Sequence, residues 1–457
     1  MNRVFDYKKV HFIGIGGISM SSLANILLYK KIQVSGSDMK RSELTDELEA
    51  NGAKIFIGQK ASNISEDTDL AVYTAAIKPD NPELEAARKA GIKTMTRADF
   101  LGLLMKEFED VICISGTHGK TTTTSLISQI CLDGGIDPTI LNGGIMPSIN
   151  SQCHIGTGKT MIAEACEYTN SFLSFFPTVG IILNVRADHL DFFKDINDVR
   201  SSFRRFAELI PGEGALIICD SIEDCGYFYE GLPCRVIRFG LDNSSDYHAE
   251  NIIYDEFARG SYDLYENGSF AGRVSLCITG EHGITNSLAA IAAARLLGAD
   301  MEQIIRSLGT FAGVRRRFEI KGNIGGATII DDYAHHPDEI SATLSAALRY
   351  PHEKLWVVFQ PHTYSRTLSL MDDFAASLSK ADAVVLTDIY AAREKNTFGV
   401  SSADLAEKIR SLGTECHYFA TFDEVENFLL ENCRPNEVLI TMGAGDVVNI
   451  GENLLGR

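Results

Sequence analysis

The sequence predicts an α/β protein with mainly parallel sheets, arranged in three blocks. Short apolar runs alternate with helical patterns along the whole chain, as crossover connections between parallel strands require. At 457 residues there is room for two to four domains at roughly 150 residues each. Two of the blocks open with strand, glycine-rich turn and helix, an arrangement that presents backbone N–H groups to an anion.

Block one begins with the apolar run Val10-His11-Phe12-Ile13 and the turn Gly14-Ile15-Gly16-Gly17-Ile18-Ser19. A helical pattern over Met20 to Leu28 and a short strand, Gln33 to Asp38, complete a unit resembling a dinucleotide fingerprint, with Asp38 where a ribose-binding acid belongs. Ser19 stands at the third glycine position, so an NAD site and an ordinary strand-to-helix turn are both open readings. Block two opens with the strand Val111-Ile112-Cys113-Ile114, the loop Gly116-Thr117-His118-Gly119-Lys120-Thr121-Thr122 and a helix from Thr123. This is a phosphate loop two residues shorter between its glycines than the usual Walker spacing. Lys120 would reach the terminal phosphates of ATP, and Thr121 would offer its hydroxyl to Mg2+. Two further strands are expected over Met161 to Glu167 and Gly180 to Val185, the second running into Asp188-His189-Leu190-Asp191. An alanine-rich helix over Ser287 to Leu297 follows Gly280-Glu281-His282-Gly283-Ile284-Thr285-Asn286. Block three follows Arg315-Arg316-Arg317-Phe318-Glu319. Its strands end in polar clusters: Asp331-Asp332-Tyr333-Ala334-His335-His336-Pro337, Gln360-Pro361-His362 to Arg366, Asp388 to Glu394, and Gly443 to Asp446. Ligands in open α/β sheets sit beyond such carboxyl ends.

The net charge of −19 argues against a broad nucleic-acid or anionic-membrane surface, while leaving room for a local phosphate site. The N-terminus carries no apolar signal segment, and no run is long enough to span a membrane, so a cytoplasmic protein without membrane insertion is expected. The ten cysteines are scattered without a Cys-x-x-Cys pair and read as reduced thiols.

Single residues carry more specific expectations. Glu164, at a strand end beside a phosphate loop, suits a Mg2+ carboxylate, and Glu167 a supporting or substrate-orienting role. His189 is as compatible with a structural place as with a ligand. The arginine triplet suits a phosphate better than a solvated charge run. His335 and His336 could cap the helix that Pro337 starts, but two imidazoles at a strand end point more to chemistry.

In this order the motifs resemble the Mur ligase family nearly end to end. The distinctive pieces are His11 to Ser21, Gly116 to Thr124, Glu164-Ala165-Cys166-Glu167 with Ser171-Phe172-Leu173, Asp188 to Asp191, Arg316 to Glu319, Asp331 to Pro337 and Gln360-Pro361-His362. The short phosphate loop is the family's own form. The resemblance implies a Rossmann-like UDP-substrate domain (1–106), a central P-loop ATPase-like parallel-sheet domain binding ATP and Mg2+ (107–312), and a C-terminal Rossmann-like domain (313–457) that closes over the site and binds the amino acid. Gly14, Gly16, Gly17, Ile18 and Ser19 would bind the UDP pyrophosphate, with Ser37 and Asp38 near the uridine. Gly116 to Thr122 would hold ATP, with His282 and Asn286 on the adenine side and Arg317 and Asp332 toward the nucleotide. Thr121, Glu164 and His189 would hold the metal, and Tyr333, His335, His362 and Arg366 would meet the muramoyl substrate.

Two departures stand out. The adenine segment has Gly283 where the family has asparagine after histidine, and Arg200 to Phe206 contains no lysine of the kind several sister ligases carbamylate to bridge two metals. The implied reaction joins L-alanine to the lactyl carboxylate of UDP-N-acetylmuramate through an acyl phosphate, with Lys120, Glu164, His189, Arg317, His335 and His336 as the catalytic set and His335 or His336 as base. A monomer or homodimer is expected. The competing readings are a sister amide ligase with another amine, an NAD-dependent oxidoreductase, which leaves Lys120-Thr121 unexplained, and a nucleotide-hydrolysing regulator.

Overall fold

The computed structural model describes residues 3–189, 192–392 and 394–457. Leu190, Asp191 and Arg393, which belong to motifs noted above, lie outside the described residues. The chain divides into two compact units. One contains residues up to 250 with 264–272 and 285–307; the other contains 251–263, 273–284 and 308–457.

In the first unit, strands β1 (Lys9–Ile13), β2 (Gln33–Asp38), β3 (Lys54–Ile57), β4 (Leu70–Tyr73) and β5 (Lys93–Thr96) form a sheet in the order β3-β2-β1-β4-β5. Every pairing is parallel. The order reverses at β1, so the crevice beyond β1 and β4 is the place where such sheets receive ligands. The turn from Gly14 lies there, leading into helix Ile18–Tyr29. Val10, Phe12 and Ile13 are buried, which is why the apolar run reads as a strand covered on both faces.

The next strands are β6 (Asp110–Ser115), β7 (Thr139–Met146), β8 (Ser151–His154), β9 (Thr160–Glu164), β10 (Val179–Ile182), β11 (Ala215–Cys219), β12 (Arg235–Gly240), β13 (Tyr247–Tyr254), β14 (Arg259–Glu266) and β15 (Ser269–Thr279). They form a sheet in the order β15-β14-β13-β12-β11-β10-β6-β9-β7-β8. β6 lies between β10 and β9, parallel to both, and delivers the phosphate loop into helix Lys120–Asp133. The expected strand over Met161 to Glu167 stops at Glu164; Ala165 still donates to the Ile114 carbonyl of β6, and Glu167 pairs with Lys120. The alanine-rich helix starts at His282, five residues earlier than the periodicity predicts.

In the second unit, β16 (Glu319–Ile324), β17 (Ala327–Asp332), β18 (Leu355–Phe359), β19 (Ala383–Leu386), β20 (Glu415–Tyr418) and β21 (Val438–Met442) form a sheet in the order β16-β17-β21-β18-β19-β20. Only the edge pair β16–β17 is antiparallel. Apolar clusters fill both faces, one around Phe359, Phe374 and Leu405, the other around Trp356, Val425 and Leu429. Among the described residues, no helix is long and apolar enough to cross a membrane.

Candidate active site

The phosphate loop is fixed from β10's side. Asn184 Oδ1 accepts from the His118 N–H at 2.9 Å, and Asn184 Nδ2 donates to the His118 carbonyl at 3.0 Å. Gly116 and Gly119 both take positive φ, 142° and 87°. At Gly119 a Cβ would also lie 2.7 Å from Asn286 Oδ1, so no side chain fits between this turn and Asn286. Lys120 follows at the start of the helix. Its Nζ donates to the carbonyls of Gly116 (2.5 Å) and Thr117 (3.1 Å) and to Glu167 Oε2 (3.0 Å). Burial opposes the ammonium charge, but Glu167, Cys166 and Glu164 surround it with negative charge and raise the lysine above its ordinary range. Lys120 is therefore a cation tied to the loop carbonyls and to Glu167.

Glu164 ends β9 and accepts from the Gly143 N–H through Oε1 at 2.6 Å. Its Oε2 takes no hydrogen bond among the described residues, which leaves an oxygen available to a hard cation. Thr121, in the first turn of helix Lys120–Asp133, is nearly buried. His189 has φ 54° and packs 4.6 Å from the Tyr168 ring. Among the described residues of this unit, no three His, Cys, Asp or Glu side chains converge to hold an ion by themselves. The oxygens of Glu164 and Thr121 are of the donor type that Mg2+ takes, with water and phosphate oxygens making up the rest of its shell.

At the glycine turn, Gly14 and Ile15 donate to the Ser37 carbonyl at 2.8 and 2.9 Å. Asp38 Oδ2 accepts from the Gly16 N–H at 2.9 Å. The Ser37 side chain is fully buried, and its hydroxyl donates to Glu83. Ser37 thus supports the turn from below rather than offering its hydroxyl to a ligand. The same Glu83 lies 3.5 Å from His11, whose Nδ1 is 2.9 Å from Ser35 Oγ.

In the second unit the arginine triplet divides. Arg316 pairs with Asp331 (3.1 Å) and donates to the Gly443 carbonyl (2.7 Å), so it ties β17 to the end of β21. Arg317 is more exposed, 3.8 Å from Glu339 and stacked over Tyr333. Asp332 uses both carboxylate oxygens on backbone, accepting from Phe318 and Ala334 N–H at 2.8 Å each. Its burial raises it to about 6, against the attraction of Arg317. His336 caps helix Pro337–Ala347, its Nδ1 accepting from the Asp338 N–H. His335 Nδ1 lies 3.0 Å from the Tyr333 carbonyl, which places the proton on Nδ1 and leaves Nε2 as the acceptor. Its ring is 6.0 Å from His362, which stacks 5.6 Å from Tyr390. Burial lowers both imidazoles, His362 to about 4, with Arg366 adding to the effect. Both are therefore neutral near pH 7. Glu394 clamps Ser365 through its N–H and hydroxyl. A cavity of about 280 Å³ in this unit is lined by Gly280, Glu281, His282, Asp338, Ser345 and Arg349.

Two residues that the sequence reading passed over stand at these loops. Gly143 is so close to Glu164 that a Cβ would lie 2.8 Å from either carboxylate oxygen. Arg97 Nη1 donates to Ser19 Oγ at 3.1 Å. Its legible signal is a cation in the first turn of a helix, where the dipole disfavours one. Gly143 has no comparable signal, because its closeness to Glu164 exists only after β7 and β9 pair.

Three segments of the chain match models of one protein family. Residues 9–109 match the Mur ligase family, catalytic domain; residues 114–294 match the Mur ligase middle domain; and residues 316–445 match the Mur ligase, glutamate ligase domain. The UDP-N-acetylmuramate–L-alanine ligase of Lachnospira eligens is 57% identical over 98% of this chain and 97% of its own length. That of Agathobacter rectalis is 53% identical over 99% of each. A crystal structure of the UDP-N-acetylmuramate-alanine ligase from Thermotoga maritima superimposes with a TM-score of 0.82 at 30% identity, covering 98% of both chains. A murein peptide ligase from Psychrobacter arcticus gives 0.72 at 25% identity, again over 98% of both. With its phosphate loop, its glycine turn and these end-to-end matches, the chain belongs to the Mur ligase family.

Proposed function

We propose that this protein joins L-alanine to the lactyl carboxylate of UDP-N-acetylmuramate at the expense of ATP, in peptidoglycan precursor synthesis. The observation that carries the reading is a complete phosphate loop, with Lys120 beside Glu167 and Glu164, in a chain matching alanine-adding ligases over its full length. A carboxylate is a poor electrophile. Phosphoryl transfer from ATP converts it to an acyl phosphate and releases ADP. The free amine of alanine then attacks the acyl carbon, and phosphate leaves from the tetrahedral intermediate.

The chain's own groups make each step possible by holding charge and protons in place. The loop N–H groups and Lys120 hold the phosphates, with Lys120 exchanging Glu167 and the loop carbonyls for phosphate oxygens. We assign Arg317 a second phosphate contact, since Arg316 is engaged with Asp331. Thr121 and Glu164, with His189, would hold Mg2+, which when bound neutralises phosphate charge. His335, neutral and open at Nε2, is the favoured base for the alanine ammonium, because His336 is engaged as a helix cap. His282 is assigned to the adenine and His362 and Arg366 to the muramoyl substrate.

The test is phosphate release by purified protein with ATP, Mg2+ and UDP-N-acetylmuramate, comparing L-alanine with glycine, serine, glutamate and no amine. Release strongest with L-alanine, with UDP-N-acetylmuramoyl-L-alanine identified by mass spectrometry, is expected. Release independent of any amine would reject the ligase reading in favour of a nucleotide hydrolase.

A further inference from the structure

Strand β7 leaves its ladder on both sides after Leu141. It pairs in parallel with β9 at Thr139, Ile140 and Leu141. It pairs with β8 at Ile140 and Leu141 and then again at Met146, so residues 142–145 stand against Gln152 alone. A bulge of this kind gives up ladder hydrogen bonds and re-aims the groups it contains, which is why bulges gather beside active sites. Here it turns the Gly143 N–H to Glu164, whose Oε1 accepts at 2.6 Å.

A buried amide holds the bulge. Asn142 Nδ2 donates to the Gly144 carbonyl at 3.0 Å, inside the bulge. It also donates at 2.7 Å to Ser125 Oγ, on helix Lys120–Asp133. Ser125 is fully buried and gives its own hydroxyl hydrogen to the Thr121 carbonyl at 2.8 Å. These partners fix which way the amide points. Turned over, its oxygen would face the Gly144 carbonyl, and Ser125 would have no hydrogen to give it. Asn142 Oδ1 is left buried with no donor among the described residues. An unpaired buried acceptor is destabilising, so the donor end is what this asparagine supplies. Two adjacent residues thus reach both sides of one site. Asn142 ties down the helix turn that carries Thr121, and Gly143 ties down the carboxylate of Glu164.

We propose that Asn142 is a positioning residue for the two oxygen groups assigned to Mg2+. Through Ser125 and the bulge it sets where the Thr121 hydroxyl stands relative to the Glu164 carboxylate, and so the affinity of the nucleotide site for a divalent cation. This rests on the reading that Thr121 and Glu164 take Mg2+ together with the nucleotide. Asn142 acts only through those two groups.

The test uses the full-length protein with Asn142→Ala, Ser125→Ala and the double variant. Titration calorimetry measures ADP with saturating Mg2+ and with EDTA, and the ratio of the two affinities is the contribution of the metal. Asn142→Ala should lower that ratio by about tenfold, as loss of a supporting hydrogen bond at a metal site does, while ADP affinity in EDTA stays within about twofold of the parent. Ser125→Ala should lower the ratio too. The double variant should fall no further than Asn142→Ala alone, because both substitutions cut one chain of hydrogen bonds. KM for UDP-N-acetylmuramate at saturating Mg2+ should be unchanged. A general loosening of the unit would weaken ADP equally with and without metal, and that result would overturn the proposal. So would a double variant whose loss is the product of the two single losses. If Asn142→Ala does not fold, the ratio in Ser125→Ala decides, and a value equal to the parent's overturns the proposal. If the parent binds ADP equally well with Mg2+ and with EDTA, the metal reading of Thr121 and Glu164 itself fails; if the parent depends on Mg2+ and Asn142→Ala depends on it equally, only the role of Asn142 fails.

Discussion

Replacing Lys120 by methionine should destabilise the first unit as well as stop phosphoryl transfer, and the two effects separate in a double variant. The Lys120–Glu167 pair is 3.0 Å apart, with side chains only 14% and 2% exposed. At an effective dielectric of ~20 the attraction at that distance is about 5 kcal/mol, opposed by a desolvation penalty of several kcal/mol for each ion. Lys120→Met removes the attraction and leaves the Glu167 charge buried, so the cost should be about 3 kcal/mol. That corresponds to a fall in melting temperature of roughly 6–10 °C. In Lys120→Met with Glu167→Gln no uncompensated charge remains. Most of the loss should return, leaving the double variant about 2 kcal/mol more stable than Lys120→Met alone, so the two losses should be far from additive. Activity should not return, because the phosphates still lack their cation; both variants should lose at least about 1,000-fold in kcat. Urea unfolding of the four proteins of the cycle, with phosphate release measured on the same samples, gives both quantities. Additive stability losses would refute the argument that the pair is a coupled buried unit, and recovery of activity in the double variant would refute the role of Lys120.

Gly143→Ala would place a methyl 2.8 Å from both Glu164 oxygens; it should raise the Mg2+ concentration for half-maximal activity by about tenfold with little loss of stability, read from a metal titration and a melt. Gly102→Ala meets the Ser174 carbonyl and should cost about 2–3 kcal/mol by urea unfolding. Two groups of the second unit should tilt its stability oppositely with pH. Asp332 is raised to about 6, so its stabilising contribution is complete below pH ~4 and is lost as pH rises through 6. His362 is lowered to about 4, so its contribution is present above pH ~6.5 and is lost as pH falls through 4. Relative to the parent, Asp332→Asn should gain stability with rising pH across this window and His362→Gln should lose it, by urea midpoints measured from pH 4 to 7. His335→Ala should lose turnover with ATP and UDP-N-acetylmuramate saturating, whereas His336→Asn, which can still cap the helix, should keep most of it; the reverse result would move the base to His336.

Much of the local structure was legible because it depends on neighbours in sequence. The apolar runs before Gly14 and Gly116 are buried on both faces, and that burial is what their composition signals. The phosphate loop follows from glycines at positive φ between a strand and a helix, a requirement written into residues Gly116 to Lys120 themselves. Less legible were the choices between adjacent, chemically similar residues. The run Arg315-Arg316-Arg317 does not say that Arg316 ties down Asp331 while Arg317 faces Glu339, and His335-His336 does not say which imidazole caps the helix. Those choices depend on which way a backbone turns at Arg316 and Phe318, both at positive φ, and on what a parallel strand brings alongside.

The sequence by itself determined the fold class, the strand–turn–helix units and the chemistry of their loops, because periodicity and glycine placement act over a few residues. Only the tertiary structure decided that Ser37 is a buried support, that Gly143 sets the position of Glu164, and that Arg97 reaches Ser19 at the glycine turn. Each of these is a contact between segments at least twenty residues apart, made when strands take their order in the sheet, and no local pattern encodes it.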